Sequence, residues 1–302
     1  MPAATLNAST NFPTQIAAEM FSKVSGYSSL AKLSAQKPIP FNGITEFVFN
    51  LDSEASIVGE GGAKPASTAS ATPVVIRPIK FVYQARVSDE FLRASDEARI
   101  GTLQAFADGF AKKIARGLDI AALHGLNPAD LTAASFQSTN SFDGLCTGND
   151  VTYVAASVDA NIDAAIQAVQ TDGGAVTGIA LSPAAGAALG AIVEGGIHQY
   201  PEFRFGQNPN SFYGMGTDVN PTVPMKAAAA TTTPYAYVGD FQNAFKWGYA
   251  ANIPLEVIQY GDPDGRSRDL KRYNEVCLRA EAYIGWGILA ADHFARIKVT
   301  TT

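Results

Sequence analysis

Cysteine and histidine are scarce in this chain. Its 302 residues include two Cys (Cys146 and Cys277) and three His (His124, His198 and His293). The thiols form no CxxC pair and no metal-ligand spacing, and the histidines are too scattered for a metal motif. No metal and no cofactor is expected, and buried free thiols are expected rather than a disulfide. Positive charge is also short: 22 Lys and Arg stand against 28 Asp and Glu, a net charge of −6. That balance argues against a protein built to grip nucleic acid through a basic face, while leaving room for one surface in nonspecific contact with DNA. Long apolar runs are missing. The longest, Tyr283 to Ala291, falls well short of the ~18 residues that span a bilayer. The start Met1-Pro2-Ala3-Ala4-Thr5 has neither a basic cluster nor an apolar stretch, so no signal peptide is expected, and the chain should be soluble and made in the cytoplasm. GxSxG elbows, HExxH and Cys/His pairs are absent too. No enzyme class is indicated, although paired carboxylates leave no sequence signature.

What is present is a globular composition, 47 % hydrophobic and 17 % charged, long enough for two domains or for one domain with large excursions. Residues 44–87 read as an extended hairpin loop. Phe47, Phe49 and Leu51 alternate with Glu46, Val48 and Asn50; Ile79, Phe81, Tyr83, Ala85 and Val87 alternate with Lys80, Val82, Gln84 and Arg86. Between these arms, residues 52–73 are small and polar, with little to pack. Connections longer than ~15 residues are uncommon inside compact domains, and an isolated two-stranded ribbon is marginal in water. Another copy of the same chain is the simplest surface for it to lie on.

Residues 1–43 read as an arm broken by Pro13, Pro38 and Pro40, with one helical pattern at Ile16, Met20 and Val24. Without a core, such an arm is expected to be anchored on neighbours or to stay mobile. From Asp96 to His124, Ile100, Leu103, Ala107, Phe110, Ile114, Leu118 and Ala121 form one apolar helical stripe, with Asp119 largely off it and Gly125 as the stop. Residues 150–255 suggest a second, mixed lobe. It contains a helix capped by Ser157, a strand at 176–181, a helix opened by Ser182-Pro183, and strands at 235–238 and 254–259. Val276, Leu278, Ala280, Ala282, Ile284, Trp286 and Ile288 share one parity, which predicts a long strand with a buried face beside the helix. The expected division is 1–43 arm, 44–87 hairpin, 88–149 peripheral domain completed by 256–302, and 150–255 axial domain.

Two motifs invite chemistry and fail. Gly59-Glu60-Gly61-Gly62-Ala63-Lys64-Pro65 lacks the Gly before and the Ser or Thr after the Lys that a phosphate loop needs. Asp262-Pro263-Asp264-Gly265 lacks the later ligands of a calcium loop and reads as a solvated turn.

The order of these elements carries a resemblance. Gly59–Pro65, the strand 79–87, Ser88-Asp89-Glu90-Phe91-Leu92, the long helix, Val238-Gly239-Asp240-Phe241 and the closing strand together resemble HK97-type major capsid proteins of tailed double-stranded DNA bacteriophages. The resemblance implies an α+β fold with N-terminal arm, extended hairpin, spine helix with peripheral sheet, and axial lobe. It implies a structural, non-enzymatic subunit located in the virion. Such a subunit would associate with itself as hexamers and pentamers into an icosahedral shell around packaged DNA, with a portal and a separate scaffolding protein as further partners. Many members carry an N-terminal scaffolding region; here Met1 directly precedes the arm, so scaffolding would come from a separate protein or from a processed region outside this sequence. Some members link subunits covalently, a hairpin Lys attacking an Asn near the C-terminus with help from a Glu. Lys64, Asn274 and Glu281 are the matching candidates. The alternative for them is a solvated tip residue, a turn residue and an ion-pair partner, with the shell held noncovalently. An encapsulin-like cellular compartment and a soluble two-domain α+β enzyme are the competing readings of the whole chain.

Overall fold

The computed structural model describes residues 27–51, 54–66, 68–90, 95–250 and 255–300. The helical pattern at Ile16, Met20 and Val24 lies outside the described residues. A short helix, α1 (Ser29–Leu33), precedes strands β1 (Ile44–Leu51), β2 (Ala69–Ile76) and β3 (Ile79–Ser88), and the long helix α2 spans Asp96–His124. Ser95 caps α2 at its start, and Gly125 ends it in the left-handed conformation, which costs a residue without Cβ little. At ~1.5 Å per residue its 29 residues span about 43 Å.

The hairpin differs from its expected pairing. β1 pairs antiparallel with β2, from Ile44↔Ile76 to Leu51↔Ala69, so the end of the stretch expected to be unpacked, residues 69–73, belongs to a strand. Thr72, Val74, Val75 and Ile76 supply the β-branched residues that pleated backbone favours. β3, expected as the second arm, instead pairs with the closing strand β13 (Glu275–Ile288), from Ser88↔Glu275 to Ile79↔Ile284. Pro78 separates β2 from β3, because proline lacks the N–H a ladder needs.

β13 also pairs with β11 (Phe245–Tyr249) and β12 (Leu255–Ile258), completing a four-stranded sheet. The alternation expected for its even-numbered residues holds: every one from Val276 to Ile288 is buried. Ala280, Ala282, Ile284 and Trp286 share one core with Phe110, Ile114, Leu118 and Ala121 of α2. The α2 stripe is buried only from Ala107 onward; Ile100, near the helix start, is 49 % exposed.

A six-stranded sheet forms the second lobe, in the order β4-β14-β10-β5-β9-β8. Its strands are β4 (Asp150–Thr152), β5 (Gly178–Leu181), β8 (Ser211–Phe212), β9 (Met215–Val219), β10 (Thr232–Gly239) and β14 (Phe294–Thr300). A two-stranded ribbon, β6 (Val193–Glu194) with β7 (Ile197–His198), lies apart from it. Helices α4 (Val158–Thr171) and α5 (Pro183–Ala191) cover one face with a separate core, and α3 (Phe142–Leu145) follows α2 in the chain. The chain therefore crosses between sheets more often than the expected boundaries allow. β14 sits in the second sheet, while β11 joins the first. Ser182 caps α5 as expected, accepting from the Ala185 N–H. Ser157 makes no side-chain cap to α4 and lies instead in a 3-10 turn.

The end of the arm is not free. Leu30, Leu33 and Ile39 are buried in the body of their own chain. The Lys37 N–H donates to the Trp247 carbonyl and the Ile39 N–H to the Tyr249 carbonyl, adding the arm along β11. This contact needs Gly248, where a Cβ would meet the Lys37 carbonyl oxygen at 1.6 Å.

Candidate functional site

The expected apolar side of β1 faces solvent: Phe47 is 61 % and Phe49 70 % exposed. Ile57, in the loop between β1 and β2, is fully exposed. Only the base of the hairpin is fixed. Ile76 is buried and lies against Gly285 and Gly287 of β13, and Lys246 on β11 pairs with Glu46 at 2.8 Å. This ribbon buries little against its own subunit yet carries aromatics outward, the arrangement of a surface made to be covered.

The cross-link candidates stand apart. Lys64 lies exposed in the hairpin tip. Asn274 is exposed in a left-handed turn (φ 53°) just before β13. Glu281 on β13 pairs with Lys80 on β3 at 2.7 Å, and this bond raises the Lys80 ammonium above its ordinary range. No contact among the described residues joins Lys64 to Asn274 or Glu281 within one chain.

Three polar clusters had no sequence signal. In the first, Asp119 is fully buried on α2. It accepts from Ser28 Oγ (2.5 Å), the Ser29 N–H (2.9 Å), the Leu30 N–H (3.2 Å) and Thr222 Oγ (2.8 Å). Burial pushes its carboxyl up to about 6, against those four hydrogen bonds. Beside it, Asp218 accepts from Ser29 Oγ and pairs with Lys32 at 3.0 Å. Burial works against the Asp218 charge, but these partners and Asn208 hold its carboxyl below the usual range. Together the two carboxylates grip α1.

In the second cluster, His124 at the end of α2 places Nδ1 2.8 Å from an Asp143 oxygen and Nε2 2.9 Å from the Thr222 carbonyl. Tyr237 donates to Asp143 at 2.8 Å, and Arg296 binds Asp150 through two parallel bonds and reaches Asp143 at 3.2 Å. An acid, an imidazole and a phenol meet here, with the Phe142 ring edge-on to both Tyr237 and Phe294, and tie α2 to the six-stranded sheet. In the third, Asp262 and Asp264, expected in a solvated turn, are ion-paired to Arg86, as is Glu275. The Arg86 guanidinium brings the Asp264 carboxyl down to about 2.

Among the described residues, no helix is long and apolar enough to cross a membrane, and no three metal-binding side chains cluster. A profile of the phage capsid family matches residues 11–299. The chain belongs to the phage capsid family. This capsid protein is similar to a solved structure from Mycobacterium phage Ogopogo, at 35 % identity and a TM-score of 0.74 over 90 % of this chain and 92 % of that one. A structure from Gordonia phage Cozz follows at 25 % identity and TM-score 0.71, covering 91 % and 87 %. The capsid of an empty GTA particle, at 14 % identity and TM-score 0.61 over 91 % and 90 %, shares the fold. No curated protein matches the chain. The fold is the α+β HK97 type, and the protein is a structural major capsid subunit that associates with copies of itself in the virion. Neither a cellular compartment shell nor a two-domain enzyme is favoured.

Proposed function

We propose that copies of this subunit form hexamers and pentamers that tile an icosahedral shell around packaged double-stranded DNA, with no catalytic role. The observation that carries this reading is the hairpin β1–β2, rooted in its own sheet but turning Phe47 and Phe49 to solvent. A neighbouring subunit would cover that face. The four-stranded sheet with α2 would be the peripheral lobe, and the six-stranded sheet with α4 and α5 the axial lobe. A portal and a separate scaffolding protein would complete the particle in the host cytoplasm. DNA contact would be nonspecific, in keeping with the net charge of −6.

The subunits would be held without covalent links. Glu281 already has Lys80 as an intrachain partner, which supports an ion-pair role over that of a base. Replacing residues 57–66 by a short Gly-Ser link should leave a folded subunit that no longer forms closed shells under the electron microscope. Normal shells from this variant would show that the hairpin is dispensable.

A further inference from the structure

The Asp119 carboxyl is ringed by hydrogen-bond donors and faces no positive charge. Oδ1 accepts from Ser28 Oγ and the Leu30 N–H, and Oδ2 from the Ser29 N–H and Thr222 Oγ. Among the described residues no cation lies within ion-pair distance of it. The charged groups nearby are engaged elsewhere. Lys32 of α1 is paired with Asp218, and Lys112 of α2 lies over the Tyr27 ring. His124, further along α2, places Nε2 on the Thr222 carbonyl and Nδ1 on Asp143, which Tyr237 and Arg296 also bind.

The Thr222 hydroxyl has one proton to give, yet two acceptors stand 2.8 Å from it, Asp119 Oδ2 and Asn220 Oδ1. With Asp119 ionised, that proton serves one acceptor and leaves the other facing a lone pair. Asn220 cannot turn its amide over to relieve this. Its Oδ1 also accepts the Thr222 N–H at 3.0 Å, and its Nδ2 donates to the Tyr27 carbonyl and to Asp218 Oδ2, each at 3.3 Å. A proton on Asp119 removes the mismatch. Asp119 then donates to Thr222 Oγ, Thr222 donates to Asn220 Oδ1, and each acceptor in the row has a hydrogen. The row runs from α2 through the loop after β9 to Tyr27 beside α1, so it touches the helix, the second lobe and the arm together. Burial favours the same neutral acid and outweighs the bonds from Ser28, Ser29, Thr222 and Leu30, taking the carboxyl up to about 6.

We propose that this site is a proton-controlled latch on the arm: neutral Asp119 completes the relay Asp119–Thr222–Asn220 and fastens α1 and the loop after β9 to α2, and loss of the proton slackens both. The latch lies within one subunit and is independent of how subunits meet in a shell. Its size follows from the two ends of the equilibrium. In the closed site the carboxyl titrates at about 6; once the arm opens, water returns it to its ordinary 3.8. Acid therefore favours the closed arm, and opening becomes about tenfold rarer between pH 7 and pH 5.

Hydrogen–deuterium exchange on the full-length subunit tests the latch. Peptides covering residues 27–34 are followed at pH 5, 6 and 7, each rate being divided by the intrinsic rate at that pH, with circular dichroism confirming the fold of every variant. Protection should rise about tenfold from pH 7 to pH 5 in the wild type and stay flat in Asp119→Asn. Thr222→Val keeps the volume and the acid but removes the relay, and should shrink the step. Protection that does not change with pH in the wild type overturns the proposal. A step that survives in Asp119→Asn does so as well, since it would belong to His124 and Asp143. A step that persists undiminished or grows in Thr222→Val shows that burial alone sets the proton, and the relay falls. If Asp119→Asn does not fold, the infrared carbonyl band of a protonated buried acid decides in the wild type: it should appear as pH falls through about 6, and its absence at pH 5 removes the latch.

Discussion

Ser28 donates its hydroxyl to Asp119 at 2.5 Å, joining the arm to the C-terminal part of the spine helix across 91 positions of sequence. The same carboxylate takes two backbone N–H groups from the first residues of α1 and the Thr222 hydroxyl, so four donors converge on one buried anion with no cation among them. The arm is thereby registered against both lobes before the chain reaches the hairpin.

Asp119→Ala should remove that anchor. Hydrogen bonds to a charged group contribute ~1.5–3 kcal/mol each, and the donors left behind lie in a dry site, so a loss of about 3–5 kcal/mol is expected. Chemical denaturation of the isolated subunit reads the loss. Limited proteolysis should show cleavage opening within residues 27–39 before the rest of the chain. An unchanged midpoint and cleavage pattern would show that α1 is held by Leu30 and Leu33 alone.

The pH dependence has a definite sign. The Asp119 carboxyl is raised in the fold, from 3.8 to about 6. Between those values the native state binds a proton the unfolded chain does not. This group's contribution is therefore fully present below about 3.8 and is lost as pH rises through about 6, with a slope of at most ~1.4 kcal/mol per pH unit. Asp264, lowered to about 2, works the other way: its contribution is present above 3.8 and lost as pH falls toward 2. Asp119→Asn should gain stability relative to wild type as pH rises from 4 to 6.5. Parallel melting curves for the two proteins across that range would contradict the assignment.

Phe110 is fully buried at the centre of the α2 stripe, in one core with β13. Phe110→Ala should cost ~3–5 kcal/mol and give insoluble or unassembled subunit. A soluble variant that still builds shells would show that the helix–sheet core can collapse around the void.

Mature particles boiled in detergent should run as a single monomer band. Lys64→Arg should leave the gel unchanged, since a shell held noncovalently has no use for a nucleophilic amine there. A ladder of multimers that Lys64→Arg abolishes would instead establish Lys64 as a cross-linking residue, and its loss in Asn274→Ala would name the partner.

Periodicity made some elements legible. The α2 stripe, the even-numbered face of β13 and the Ser182-Pro183 helix start all follow from spacing and capping chemistry, and the structure keeps them. Pairing was harder. Nothing local distinguishes β2 from β3 as the partner of β1, because strand choice is set by where the hairpin base meets Gly285 and Gly287. The more regular alternation at 79–87 therefore points to the wrong second arm. The buried anchors were invisible for a related reason. Asp119 falls on the polar side of a helical wheel, and only the arm folding back over that side encloses it. Arg86 shares its parity with Lys80, Val82 and Gln84 and nothing local sets it apart, yet the loop carrying Asp262 and Asp264 closes over it.

The strand-like stretch around Lys37 and Ile39 has one further consequence. By occupying the outer edge of β11, it removes a row of free N–H and C=O groups that a second chain could otherwise extend as a continuous sheet. A protein synthesised in many copies for one particle is at constant risk of sticking to itself in the wrong way. With that edge sealed from within and Gly248 admitting the seal at contact distance, open-ended fibrous growth is blocked there, and association is left to the surfaces that can close a finite object. Gly248→Val, by forcing the seal away, should convert orderly particles into amorphous or filamentous aggregate.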